Sequence, residues 1–66
     1  MMTAYLDYAV LAGEYLYPGA TVWSNYHDKL ITVQSIWKDC NGDVYLGFLG
    51  GNANLRSCEW INDEDD

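Results

Sequence analysis

Leu30-Ile-Thr-Val-Gln-Ser-Ile-Trp-Lys38, then Asp39-Cys-Asn-Gly-Asp43, then Val44-Tyr-Leu-Gly-Phe-Leu49: this stretch decides the fold. Two runs rich in β-branched and aromatic residues flank a polar turn, and the Asn41-Gly42 pair inside it is the strongest short-range hairpin signal a sequence offers. In the first run Ile31, Val33, Ser35 and Trp37 alternate with Leu30, Thr32, Gln34 and Ile36, so both sets carry large apolar side chains. A flat two-faced strand does not fit. A bulge near Gln34-Ser35 would bring Ile36 onto the face of Ile31 and Val33. Val44, Leu46 and Phe48 form the next inward set, and Gly47 allows sharp bending at a corner. Upstream, Ala20 to Asn25 reads as a further strand, entered through the Pro18-Gly19 turn and leading to a polar tip at Asn25-Tyr-His-Asp-Lys29.

The N-terminal part reads differently. Thr3 can cap a short helix over Ala4 to Ala12, because its hydroxyl accepts from an unpaired N–H of the first turn. Leu6, Ala9, Val10 and Gly13 fall on one helical stripe, with Tyr5, Tyr8 and Ala12 beside it. A strand through Tyr5 to Val10 competes, since Tyr is a good strand former. Ala4, Ala9, Leu11 and Ala12 tilt the reading to helix. At the other end, Gly50 to Asn54 reads as a flexible turn, Leu55 to Cys58 as a short strand and Glu59 to Ile61 as one turn of tight helix. Residues 1–61 then form one small domain, followed by an acidic tail over 62–66.

These pieces resemble a small SH3-like β-barrel. The resemblance rests on Pro18-Gly19, Val22, Thr32-Val33-Gln34-Ser35-Ile36, Asn41-Gly42, Tyr45-Leu46 and Leu55-Arg-Ser-Cys-Glu-Trp-Ile61, over about residues 17–61. It implies a mainly β fold, a five-stranded, strongly bent barrel; the short N-terminal helix is an addition that the resemblance does not explain. It implies no particular function, because barrels of this kind serve proteins, peptides and nucleic acids alike.

Charge narrows the partners. Ten carboxylates oppose three cations, Lys29, Lys38 and Arg56, for a formal charge of −7. Affinity for nucleic acid comes largely from Lys and Arg neutralising phosphates, so direct DNA or RNA binding is not expected. The same argument disfavours an anionic membrane surface. No basic leader or long apolar run is visible, and a cytoplasmic location with Cys40 and Cys58 reduced is the expectation.

Chemistry is sparse. His27 is the single histidine, and with Cys40 and Cys58 it makes no paired metal-ligand spacing. Asp39 and Asp43 flank Cys40 and oppose its thiolate. No catalytic residues, metal site or cofactor are expected, and the chain reads as non-enzymatic.

Binding remains, in two forms. The first is an acidic module that engages a basic protein, using Asp7, Glu14, Asp28, Glu59, Asp63 and Glu64. Such a chain would suit a phage- or mobile-element-type inhibitor of a nucleic-acid-binding protein, anti-CRISPR or DNA-mimic-like, with carboxylates standing where phosphates would lie. The second is an interaction or homodimerising module with an exposed aromatic patch. Tyr5, Tyr8 and Tyr26 are its candidate residues, within an N-terminal cluster that also holds Tyr15 and Tyr17.

Overall fold

The computed structural model describes residues 3–61. Nine strands and one short 3-10 helix run through this segment, and the fold is mainly β. In order they are β1 (Ala4–Tyr5), β2 (Ala9–Leu11), β3 (Glu14–Leu16), β4 (Thr21–Ser24) and β5 (Lys29–Thr32). Then come β6 (Ser35–Lys38), β7 (Val44–Phe48), β8 (Gly51–Asn54), the 3-10 helix (Leu55–Ser57) and β9 (Cys58–Trp60). They form a four-stranded sheet in the order β1-β6-β7-β8, a three-stranded sheet β5-β4-β9 and the two-stranded hairpin β2-β3. All pairings are antiparallel.

The central meander is continuous through a bend at Val33-Gln34. Val33 donates its N–H to the Ala20 carbonyl at 2.8 Å, and Gln34 donates to the Gly47 carbonyl at 2.7 Å. Two consecutive residues therefore hand the chain from the β4 side to the β7 side. Ile31, Val33 and Ile36 are all buried across this bend, although their spacing changes parity. With Val22, Leu46 and Leu16 they make the fully enclosed centre of the core. The following hairpin turn is organised by Asp39, whose carboxylate accepts from the N–H groups of Asn41 and Asp43 at 2.9 and 3.0 Å.

The expected N-terminal helix is not there. Residues 4–16 instead form β1 and the β2-β3 hairpin, with Ala9 opposite Leu16, Val10 opposite Tyr15 and Leu11 opposite Glu14. The turn is Ala12-Gly13, with φ of 54° and 83°. Two successive positive φ values are the mark of the tight hairpin turn whose twist matches its strands, and no α-helix passes through them. The helical reading weighed Ala and Leu propensity; burial alternating every second residue outweighed it.

The expected five-stranded barrel does not close. Strands of two to five residues leave β1 and β8 as edges of one sheet and β5 and β9 as edges of the other. The β2-β3 hairpin lies near β9, tied by the Trp60 indole N–H donating to the Leu11 carbonyl at 2.7 Å. The C-terminal order is also reversed from expectation: Gly51–Asn54 is a strand, the tight helical turn precedes Cys58, and Cys58–Trp60 is a strand. Asn54 explains the switch, because its side chain accepts from the Arg56 N–H at 2.9 Å and caps the turn there.

Candidate protein-contact surface

The β2-β3 hairpin has two faces of opposite character. Ala9, Leu11 and Leu16 point inward and are buried. Strand alternation then sends Tyr8, Val10, Tyr15 and Tyr17 outward, where they are 47, 51, 63 and 54% exposed. The three tyrosine rings touch one another. Tyr8 meets Tyr15 edge-on at 5.2 Å between centroids, and Tyr17 lies 6.1 Å from Tyr8 and 6.4 Å from Tyr15. Such spacings lie within the range of favourable ring pairs, so the rings hold each other's orientation while remaining in water. Their exposure leaves most of that apolar surface free for a contact.

The expected aromatic residues thus separate. Tyr8 belongs to this face. Tyr5 sits on β1 opposite Trp37 and packs against its indole edge-on at 6.1 Å. Trp37 in turn stacks with Tyr45 at 6.0 Å. A Cβ at Gly47 would come within 2.6 Å of the Trp37 ring, so the bare glycine is what lets the indole lie on the sheet. Tyr26 stands on the β4-β5 turn, edge-on to His27 at 4.9 Å, with His27 against Phe48 at 5.1 Å. Val10 was absent from the expected contact set, and Tyr15 and Tyr17 stood only in the wider tyrosine cluster. Their signal was the alternation of Tyr8 and Val10 before the Ala12-Gly13 turn and of Tyr15 and Tyr17 after it.

The expected acidic residues lie on four separate segments. Asp7 is exposed on the bend before β2, and Glu14 is exposed at the turn end of the hairpin. Asp28 ends the β4-β5 turn with a φ of 56°, and Glu59 is exposed on β9 opposite Trp23. Asp63 and Glu64 lie outside the described residues. Two of the cations are engaged within the chain: Arg56 pairs with Asp43 at 3.5 Å, and the Lys29 ammonium sits 5.5 Å above the Phe48 ring.

The polar interior has its own geometry. Ser24 is fully buried, with its hydroxyl oxygen 3.0 Å from His27 Nδ1 and accepting from the His27 main-chain N–H at 3.3 Å. A serine beside a histidine is the start of a nucleophile pair, but a hydroxyl sealed in the core cannot reach a substrate. The pair serves to fold the β4-β5 turn onto the core. Cys58 is buried opposite Ser24, and its thiol donates to the Asn54 carbonyl at 3.5 Å. Burial pushes the Cys58 pKa up, opposed by weaker hydrogen bonding from Ser57 and Ser24. Cys40, by contrast, is exposed. Among the described residues no three His, Cys, Asp or Glu side chains gather closely enough to hold a metal ion. No helix of the described residues is long and apolar enough to cross a membrane. Comparison with family models, with curated proteins and with solved structures found no match to this chain.

Proposed function

We propose that this chain is a non-enzymatic protein-binding module that docks through the outer face of the β2-β3 hairpin onto a partner with a basic surface. The observation carrying this reading is the exposed cluster of Tyr8, Val10, Tyr15 and Tyr17, since Tyr combines large contact area with a polar tip and low conformational cost. The charge of −7 supports the nature of the partner, and residues 1–28 contain no Lys or Arg. Asp7 and Glu14, next in sequence to Tyr8 and Tyr15, would speed encounter with a cationic surface. In this reading the partner is a nucleic-acid-binding protein, and the chain acts in the cytoplasm as an inhibitor of the phage or mobile-element kind. The scaffold is an opened SH3-like barrel, supported by the bend at Val33-Gln34 and the short closing strand β9. A homodimer through the same tyrosine face is the second reading. The unpartnered apolar face favours it, and mutual repulsion of two acidic chains opposes it.

The test is affinity capture from a host lysate with the wild-type chain, a Tyr15→Ser/Tyr17→Ser variant and an Asp7→Asn/Glu14→Gln variant. The expected result is a basic protein that the tyrosine variant fails to retain and that the carboxylate variant binds with slower, less salt-sensitive association. A retained partner lacking a basic surface, or undiminished retention by the tyrosine variant, overturns the reading. Sedimentation at micromolar concentration separates the dimer: a monomer removes it.

A further inference from the structure

We propose that the cleft between the free edge of β8 and the β4-β5 turn is a binding site for a neutral sugar ring. The cleft encloses about 340 Å³ and is lined by Tyr26, Tyr45, Asn52, Ala53, Asn54 and Ser57. That volume falls at the small end of the range for ligand pockets, ~300–1,000 Å³. It shares no residue with the tyrosine face of the hairpin, so the two sites stand or fall separately.

The lining excludes most other ligands. One residue in five of this chain is charged, yet among the described residues no charged side chain lines the cleft. A phosphate, carboxylate or ammonium would enter without a counter-charge and would lose its hydration for nothing in return. A purely hydrocarbon ligand would match the mostly apolar lining but would leave the main-chain polar groups at its edge unpaired. Those groups can be placed. Gln34 donates its N–H to the Gly47 carbonyl, which therefore faces β6. Asn52 is the register partner of Gly47 on β8, so its own main-chain N–H and C=O turn away from β7 toward the open edge.

An extended peptide would find that edge too short. The Asn54 carbonyl already accepts from the Ser57 hydroxyl at 2.9 Å and from the Cys58 thiol at 3.5 Å. The Asn54 side chain is committed to the Arg56 N–H. An added strand would meet a free carbonyl and a free N–H together only at Asn52, too few bonds for strand addition. A compact ligand suits the place better.

The walls supply the other half of the recognition. Tyr45 is backed by the stacked Trp37 indole, which itself rests over Gly47. Tyr26 is backed by His27, and His27 by Phe48. The Tyr45 ring is thus held in place before any ligand arrives, while Tyr26, 80% exposed, borders the cleft from the turn. A pyranose presents C–H groups on its faces and hydroxyls around its rim. The C–H groups carry slight positive charge and pack on the electron-rich ring faces. The hydroxyls both donate and accept, which matches the Asn52 amide, its free main-chain pair and the two phenols.

The experiment is an NMR titration of the full chain with glucose, galactose, mannose and N-acetylglucosamine, each to about 50 mM, so that even millimolar affinity is read. The expected result is a saturable shift with at least one sugar, confined to the Asn52, Asn54 and Ser57 amides and the Tyr26 and Tyr45 rings. Tyr45→Ala should weaken it at least about tenfold. Because Tyr45 also packs on Trp37, Tyr26→Ser at a well-exposed position is the second variant. It should cost a similar factor while leaving the rest of the spectrum unchanged. No saturable shift with any of the four sugars overturns the proposal, as does a shift centred on Tyr8, Tyr15 and Tyr17. Stronger binding of glucose 6-phosphate than of glucose would also overturn it, by showing that the cleft prefers an anion.

Discussion

Trp37 and Tyr15 both project from the outer face of an antiparallel pair, but they rest on different ground. Trp37 sits in the middle of a four-stranded sheet, flanked by Tyr5 on β1 and Tyr45 on β7, with its ring lying over Gly47. Tyr15 sits on a two-stranded hairpin opposite Val10 and beside Tyr8 and Tyr17, and more than half of its surface meets water. Trp37 and Tyr45, both partly buried, are part of what stabilises the sheet, whereas Tyr5 at its edge is 74% exposed. The hairpin group adds little to folding, because its rings remain largely hydrated. A two-stranded hairpin is marginal alone, so this one depends on its inner face and on the hydrogen bond that ties it to β9. The difference separates scaffold from contact surface: aromatic residues that stability does not need are the ones available for a partner.

Four substitutions can break or sharpen that contrast. Leu16→Ala should have the largest effect, since Leu16 is fully buried and anchors the inner face of the hairpin. Denaturant unfolding should show a loss of about 2–5 kcal/mol. A loss below ~1 kcal/mol would mean that the hairpin is not held by its buried side. Gly47→Ala comes next, at about 1–3 kcal/mol, because the new methyl collides with the Trp37 ring and with Ser35 Oγ at 2.5 Å. Trp37 emission should change with it; unaltered stability would show that the indole does not need its glycine bed.

Trp60→Phe removes the hydrogen bond to the Leu11 carbonyl and should cost about 1 kcal/mol. Hydrogen exchange is the sharper readout. Amides of β2 and β3 should exchange faster while those of β6 and β7 hold, and equal acceleration in both would refute a local role for this tie. The smallest effect belongs to Ala12→Gly. Ala12 occupies the left-handed region that an L side chain adopts at a cost of ~1–2 kcal/mol, and glycine relieves this while adding freedom to the unfolded chain. The net gain should be under ~1 kcal/mol, seen as a slightly higher Tm. A lower Tm would show that the turn is not the strained point of the hairpin.

The meander was legible because its signals were local. Asn41-Gly42 marks a turn whatever surrounds it, and the doubled apolar pattern of residues 30–37 demands a change of parity, which the bend at Val33-Gln34 supplies. The hairpin was not legible, because residues 4–12 carry helix-forming Ala and Leu together with strand-forming Tyr and Val. Local preference was nearly balanced there, and a contact as remote as Trp60 to Leu11 helped decide the outcome. The candidate site suffered accordingly. A helix would have spread Tyr5 and Tyr8 around its surface, whereas the hairpin brings Tyr8 against Tyr15 and Tyr17 and sends Tyr5 to Trp37. The reversed order of strand and 3-10 turn after Asn52 has a similar origin, since Asn54 acts as a cap only once the chain turns there.

By itself the sequence determined a mainly β chain, its central hairpin and a strongly acidic character, because turn residues, β-branched runs and fixed charges act at short range. Tertiary structure alone decided which tyrosines face water together and that β8 ends in an open cleft beside Tyr26. Both depend on burial between residues far apart in the chain, where the energy of closing a core outweighs the small differences in local preference.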